Sequence, residues 1–114
     1  MFTGLIENIG YIEDERTIDN GKRLIINCPN IAKNTSINDS VSVNGVCLTA
    51  IDVNQTTFSA IAVEQTLALT TLGSLCAKDY VNLETAMTPN KAFGGHFVQG
   101  HVDGTGKITS IEHL

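Results

Sequence analysis

The sequence predicts an all-β fold, a small closed barrel, and three observations carry that reading. Six or seven short apolar runs, rich in β-branched residues, are spaced by turn residues along the chain. Only one stretch breaks the pattern in favour of a helix. Closing the sheet removes the open edges that strands this apolar would otherwise present. The 114 residues make one domain, since a typical domain takes ~100–150 residues. Apolar residues make up 42% but aromatics only 5%, with no Trp, so the core must be built from Val, Ile, Leu and Ala.

The elements follow in order. Ile6 to Glu13 reads as a first strand, ended by the acidic stretch Glu13-Asp14-Glu15. Arg23-Leu-Ile-Ile-Asn-Cys28 is a compact apolar run closed by Pro29, which cannot donate to a sheet ladder. Ser40-Val-Ser-Val43 alternates strictly, and Asn44-Gly45 supplies the residues of a tight two-residue hairpin. Cys47 to Val53 and Thr57 to Ala62 are two more strands, joined by a turn at Asn54-Gln55. Glu64 to Leu69 reads as a short helix, stopped on its C-terminal side by Gly73. Val81 to Thr85 is a further strand, and Phe97 to Ile111 another, broken by Gly104 and Gly106.

Composition excludes several classes of function. A net charge of −5 gives no basic footprint for nucleic-acid phosphates. No apolar run approaches the ~20 residues of a membrane span. The start, Met1-Phe-Thr-Gly-Leu-Ile-Glu7, lacks the basic residues and long apolar centre of a secretory signal. Cys28, Cys47 and Cys76 are odd in number and far apart, which fits free thiols in a reducing cytoplasm.

Four segments are candidates for chemistry. Gly94 to Gly106 holds five glycines and two histidines in thirteen residues. Glycine lets backbone approach a ligand closely. The spacing matches neither a phosphate loop nor a dinucleotide fingerprint. His96 and His101 are five apart, on opposite faces of a strand, which disfavours a two-histidine metal site. The plain alternative is a set of corner glycines with partly exposed histidines. Along Cys47-Leu-Thr49, thiol and hydroxyl share one face while Val46 and Leu48 take the other, although a strand cysteine is more often a small buried hydrophobe. Glu64-Gln65-Thr66 opens the short helix, where unpaired N–H groups attract acceptors and where ordinary helix-start polarity also places such residues. Phe2-Thr3-Gly4 is the last segment, a hint that the terminus packs onto something.

Taken together, these segments resemble the riboflavin synthase family, and specifically its N-terminal lumazine-binding repeat. The resemblance rests on residues 1–7, Val43-Asn-Gly-Val-Cys-Leu-Thr49, Thr66-Leu-Ala-Leu-Thr-Thr-Leu-Gly73, Val81-Asn-Leu-Glu84 and 94–106, in family order over nearly the whole chain. It implies a six-stranded Greek-key closed barrel with one or two short helices. By that comparison residues 1–97 form the barrel repeat. Residues 98–114 supply its last strand and the start of an inter-repeat connection, and the second repeat is absent. One stretch departs from the family: Ile61-Ala-Val-Glu-Gln-Thr-Leu67 carries Ile61 and Gln65 in place of two carboxylates.

The resemblance also implies a reaction. Two molecules of 6,7-dimethyl-8-ribityllumazine exchange a four-carbon unit, giving riboflavin and a ribitylamino-pyrimidinedione, with no metal, nicotinamide or flavin cofactor. The site lies between barrels of neighbouring subunits, in homotrimers of the full-length protein. Phe2, Ser40, Cys47 and His101 are the implied catalytic contribution of this barrel. Cys47, or a water held near it, would add at C7 of one lumazine. His101 would exchange the proton of the 7-methyl of the other, an imidazole being suited to taking up and releasing a proton. The flat ring would be met by backbone at Gly4, Leu5 and Ile6 and at Ile61, Ala62, Val63, Glu64, Gln65 and Thr66. Cys47, Leu48, Thr49, His96, Gly100, His101 and Val102 complete the implied binding set. An isolated barrel would expose the surface its sister repeat covers and would pair as a homodimer. A rival of another class is a non-catalytic lumazine-binding antenna protein, whose kind loses parts of the catalytic set. This chain keeps Cys47, His96 and His101 together.

Overall fold

The computed structural model describes residues 1–91 and 94–114. Six strands, β1 (Asn8–Ile18), β2 (Gly21–Asn27), β3 (Ser40–Val43), β4 (Val46–Val53), β5 (Thr57–Val63) and β6 (Tyr80–Thr85), close into an antiparallel barrel. Their spatial order is β1-β2-β5-β4-β3-β6, with β6 returning to β1. The run β2-β5-β4-β3 is a Greek key, because β3, β4 and β5 follow one another by hairpins while β2 reaches β3 by a long connection. That connection carries α1 (Pro29–Ala32); α2 (Glu64–Leu69) and a 3₁₀ turn at Thr71–Ser74 lie between β5 and β6.

Local sequence explains the corners. Asn44 and Gly45 have φ of 50° and 82°, the paired left-handed conformation of a type I′ hairpin, and place Val43 opposite Val46. At the next corner the Asn54 side chain accepts the amides of Thr56 and Thr57 at 2.9 and 2.8 Å. Inward residues alternate along every strand, and Ile12, Leu24, Ile26, Val41, Val43, Leu48, Phe58, Val81 and Leu83 fill the interior. Where β4 meets β5 the paired residues are Ala50 and Ala60, small enough to let the strands bend together at a bulge.

Three expectations change. The first strand begins at Asn8 and continues to Ile18, because the acidic stretch does not end it. A register shift between Ile12 and Asp14 turns these carboxylates outward, where Asn27 Nδ2 donates to Glu13 and Lys22 pairs with Glu15, both at 3.0 Å. Pro29 stops β2 and also starts α1, the position at which proline's missing N–H is harmless. The sixth strand is Tyr80–Thr85, and residues 98–114 do not supply the last strand. Of the expected strand Phe97 to Ile111, only Val98 makes a bridge, to Phe2. The physical reason lies at Gly100, whose φ of +84° leaves the extended region and breaks the run beyond Val98 before it can continue as a strand. Among the described residues, no helix is long and apolar enough to cross a membrane.

Candidate ligand-binding site

The ladder between β4 and β5 covers Ala50↔Ala60, Asp52↔Ser59 and Val53↔Phe58 and goes no further. The first half of β4, from Val46 to Thr49, is therefore unpaired on its β5 side, while Ile61 to Val63 of β5 remain paired to β2. Into this seam comes the glycine-rich segment. The Gly100 carbonyl accepts the Cys47 amide at 3.0 Å, doing part of what a β5 residue would have done. The approach needs glycine twice over. Its φ is +84°, and a Cβ there would lie 2.8 Å from Cys47 Cβ and 2.9 Å from its nitrogen. Val102 then packs partly buried against the core, as does Leu67 of α2.

Between β4, α2 and this segment lies a cavity of about 320 Å³, lined by Cys47, Gln65, Thr66, Leu69, Gly100, His101 and Val102 among others. Cys47 is half-buried, and His101 is exposed at the mouth. The wall at Thr66 is fixed from below. The Thr70 hydroxyl donates to the Thr66 carbonyl at 2.7 Å and accepts the Leu72 amide at 3.2 Å.

A second cavity, of about 250 Å³, shares Gly100 with the first and is lined also by Phe2, Gly4, Ile6, Glu84 and Val98. The N-terminal residues here are tied down. Phe2 is 1% exposed and exchanges two backbone hydrogen bonds with Val98, at 2.6 and 2.8 Å. Beneath it sits a carboxylate that sequence reading passed over. Glu84 is 4% exposed, and its oxygens accept the Thr3 amide at 2.7 Å, the Thr3 hydroxyl at 2.8 Å, the Gly4 amide at 3.0 Å and Lys91 Nζ at 3.3 Å. Burial pushes the Glu84 carboxyl up, but the Thr3 donors and the Lys91 ammonium outweigh it and hold the group below the usual carboxylate range.

The fold thus gathers Cys47, Gln65, Thr66, Gly100, His101 and Val102 at one cavity and Phe2, Gly4 and Ile6 at its neighbour. Others lie apart. Ser40 pairs with Thr49 across β3 and β4, and lines a third cavity of about 400 Å³ with Asn34, Asp39 and Thr85. Thr49 is exposed and lines neither of the first two cavities. Leu48 and Ala62 point into the core, so only their backbones can face a ligand. Ile61, Val63 and Glu64 are exposed on the outer face, as is Leu5. His96 is exposed, and its amide donates to the Thr3 carbonyl at 2.8 Å.

Comparison with known proteins places this arrangement in context. The Lumazine binding domain family model matches residues 3–86. The riboflavin synthase of Bacillus subtilis (strain 168) is 45% identical over 112 residues, 98% of this chain and 52% of that protein. The riboflavin synthase of Schizosaccharomyces pombe is 46% identical over 109 residues, 95% of this chain and again 52% of that protein. The chain spans about half the length of the curated relatives it matches. Among solved structures, LumP complexed with riboflavin superposes with a TM-score of 0.81 at 25% identity, covering 91% of this chain and 56% of that one. LumP complexed with flavin mononucleotide superposes at 0.80, also at 25% identity, covering 91% of this chain and 59% of that one.

Proposed function

The chain belongs to the lumazine-binding domain family, and on that premise we propose that it binds 6,7-dimethyl-8-ribityllumazine and riboflavin and supplies one half of a riboflavin synthase active site. The observation that carries the proposal is the seam between β4 and β5, where Cys47, α2 and Gly100–Val102 surround one cavity. A pteridine is flat, and its imide edge carries donors and acceptors in one plane. Backbone left unpaired along a strand meets such an edge better than flexible side chains do. The first turn of α2 at Gln65 and Thr66 and the outer edge of β4 offer that backbone. Gln65 and Ile61, in place of two carboxylates, leave ring recognition to the main chain.

In this proposal Cys47, or a water held beside it, adds at C7 of one lumazine, and His101 exchanges the 7-methyl proton of the other. The two stand at one cavity on the outer face of the barrel, where a ligand presented by a second barrel could be reached. One lumazine donates the four-carbon unit and the other accepts it, so the pair needs no metal or redox cofactor. The complementary half of the site would come from another barrel.

The outer face of β1 and β6 supports self-association. Tyr11 pairs with Tyr80 and Ile9 with Asn82 across the two strands, leaving Ile9 67% and Tyr80 76% exposed. Free thiols at Cys28, Cys47 and Cys76 fit a reducing cytoplasm. The rival reading is a non-catalytic lumazine-binding protein, favoured by the superposition on LumP and opposed by the higher identity to riboflavin synthases. Fluorescence titration with riboflavin tests what both readings share. Saturable quenching and rising polarisation at micromolar protein are expected, and unchanged emission would refute both.

A further inference from the structure

We propose that Glu84 is a positioning residue for the ligand site, clasping the N-terminal segment so that residues 96–101 are held against Cys47. The proposal rests on the ligand-binding reading above for its functional consequence, but its structural part stands alone. Alternation along β6 turns Val81 and Leu83 inward and should turn Glu84 out to solvent. It is buried instead because residues 3 and 4 lie over it.

Among the described residues, every donor to the carboxylate comes from outside the barrel strands. Thr3 gives its amide and hydroxyl, Gly4 its amide, and Lys91 its ammonium. Lys91 is itself fixed by the Thr85 carbonyl at 2.7 Å and by Glu7 Oε1 at 3.4 Å. Bonds to an ionised acceptor are roughly twice as strong as neutral ones, so this cluster outweighs the ordinary tendency of a terminus to fray.

From Thr3 the restraint passes along backbone. The Thr3 carbonyl accepts the His96 amide at 2.8 Å, and Phe2 and Val98 exchange both of their bonds. Gly95 allows the approach, since a Cβ there would lie 2.2 Å from the Thr3 oxygen. Two residues past Val98, the Gly100 carbonyl takes the Cys47 amide. The path Glu84–Thr3–Phe2–Val98–Gly100–Cys47 is thus continuous, and it runs outside the ladder in which Ser42 pairs with both Glu84 and Cys47.

Amide hydrogen exchange on the full 114-residue chain, paired with riboflavin titration, tests this. In Glu84→Gln, the amides of Phe2, His96, Val98 and Cys47 should exchange roughly tenfold faster and riboflavin affinity should fall roughly tenfold, as expected for losing bonds to a charged group. Ladder amides of β2 and β5 should keep their protection. Thr3→Val should shift the same amides by less, and Thr3→Ser, which keeps the hydroxyl, should restore the wild-type pattern. Unchanged exchange at Val98 and Cys47 in Glu84→Gln would overturn the proposal. So would an equal loss of protection in β2 and β5, which would make Glu84 a general support of the barrel. If Glu84→Gln does not fold, the Thr3→Val and Thr3→Ser pair decides by the same amides. If the wild-type chain binds no riboflavin, the functional reading fails while the exchange pattern still decides the clasp.

Discussion

Gly100 and Cys47 meet backbone to backbone: the glycine carbonyl accepts the cysteine amide at 3.0 Å, and no room is left for a side chain on the glycine. This contact sets where His101 and Val102 begin, and so shapes the cavity between β4 and α2.

Gly100→Ala should therefore damage the site before it damages the barrel. The φ of +84° disfavours any L side chain, and the new methyl would overlap Cys47. A strained position of this kind costs about 1–3 kcal/mol, which the chain can relieve by lifting residues 98–103 off β4. The expected outcome is a loss of riboflavin affinity of about tenfold or more, corresponding to ~1.4 kcal/mol or more. The far-UV spectrum should stay unchanged and Tm should drop modestly. A variant with wild-type affinity would show that the contact does not shape the ligand site.

Acid should loosen the same region through Glu84. Its folded pKa is lowered, so the stability it contributes is complete above the ordinary value of 4.5 and is lost as pH falls below that through the folded value. The groups facing it are Lys91 and, through Lys91, Glu7. Thermal melts from neutral pH down to about pH 3 should show Tm falling more steeply for the wild type than for Glu84→Gln. Parallel profiles would mean that other carboxylates dominate.

The parts of this fold that were legible in sequence are those governed by local rules. Asn44-Gly45 dictates its hairpin whatever surrounds it, and alternation in β3 and β4 assigns Val43, Val46 and Leu48 to the core. α2 ends at Leu69 as expected, but its stop is Thr70, which turns extended and caps the next turn, and not Gly73, which lies within that 3₁₀ turn. What sequence could not show depends on long-range contact. Whether Phe97 to Ile111 is a strand depends on how the chain must turn at Gly100 to bring its carbonyl to Cys47. Glu84 looks like a solvent-facing strand residue until the N-terminus is laid over it. The Cys47 cavity was legible only as separate motifs, because the seam between β4 and β5 is a property of their register.

The proposed self-association would use the exposed face of β1 and β6. Sedimentation at high concentration should find a dimer, and replacing Ile9 and Tyr80 together by lysine should return the 12.2 kDa monomer. Both side chains point outward, so the paired change should leave the core and the melting profile nearly intact. A wild-type chain that remains a clean monomer would remove this face as a contact surface.

Turnover separates ligand binding from catalysis. Two lumazines must be held face to face by complementary groups, and copies of this one barrel present the same half-site twice. Effective molarities of ~10⁵–10⁸ M are available only to correctly oriented groups, and mismatched barrels forfeit most of that advantage. The 114-residue chain should therefore bind riboflavin yet form it far more slowly than a full-length homologue at equal site concentration. Comparable rates would show that one kind of barrel suffices. Cys47→Ser, placed in the full-length background, then assigns the thiol. The half-buried side chain stands at the cavity beside His101, and serine keeps its size and the backbone bond to Gly100 while weakening the nucleophile. A fall in kcat with ligand affinity preserved would place Cys47 in the chemistry. If kcat and affinity both stay at wild-type values, the thiol serves only to fill space, and a water beside it becomes the candidate for addition at C7.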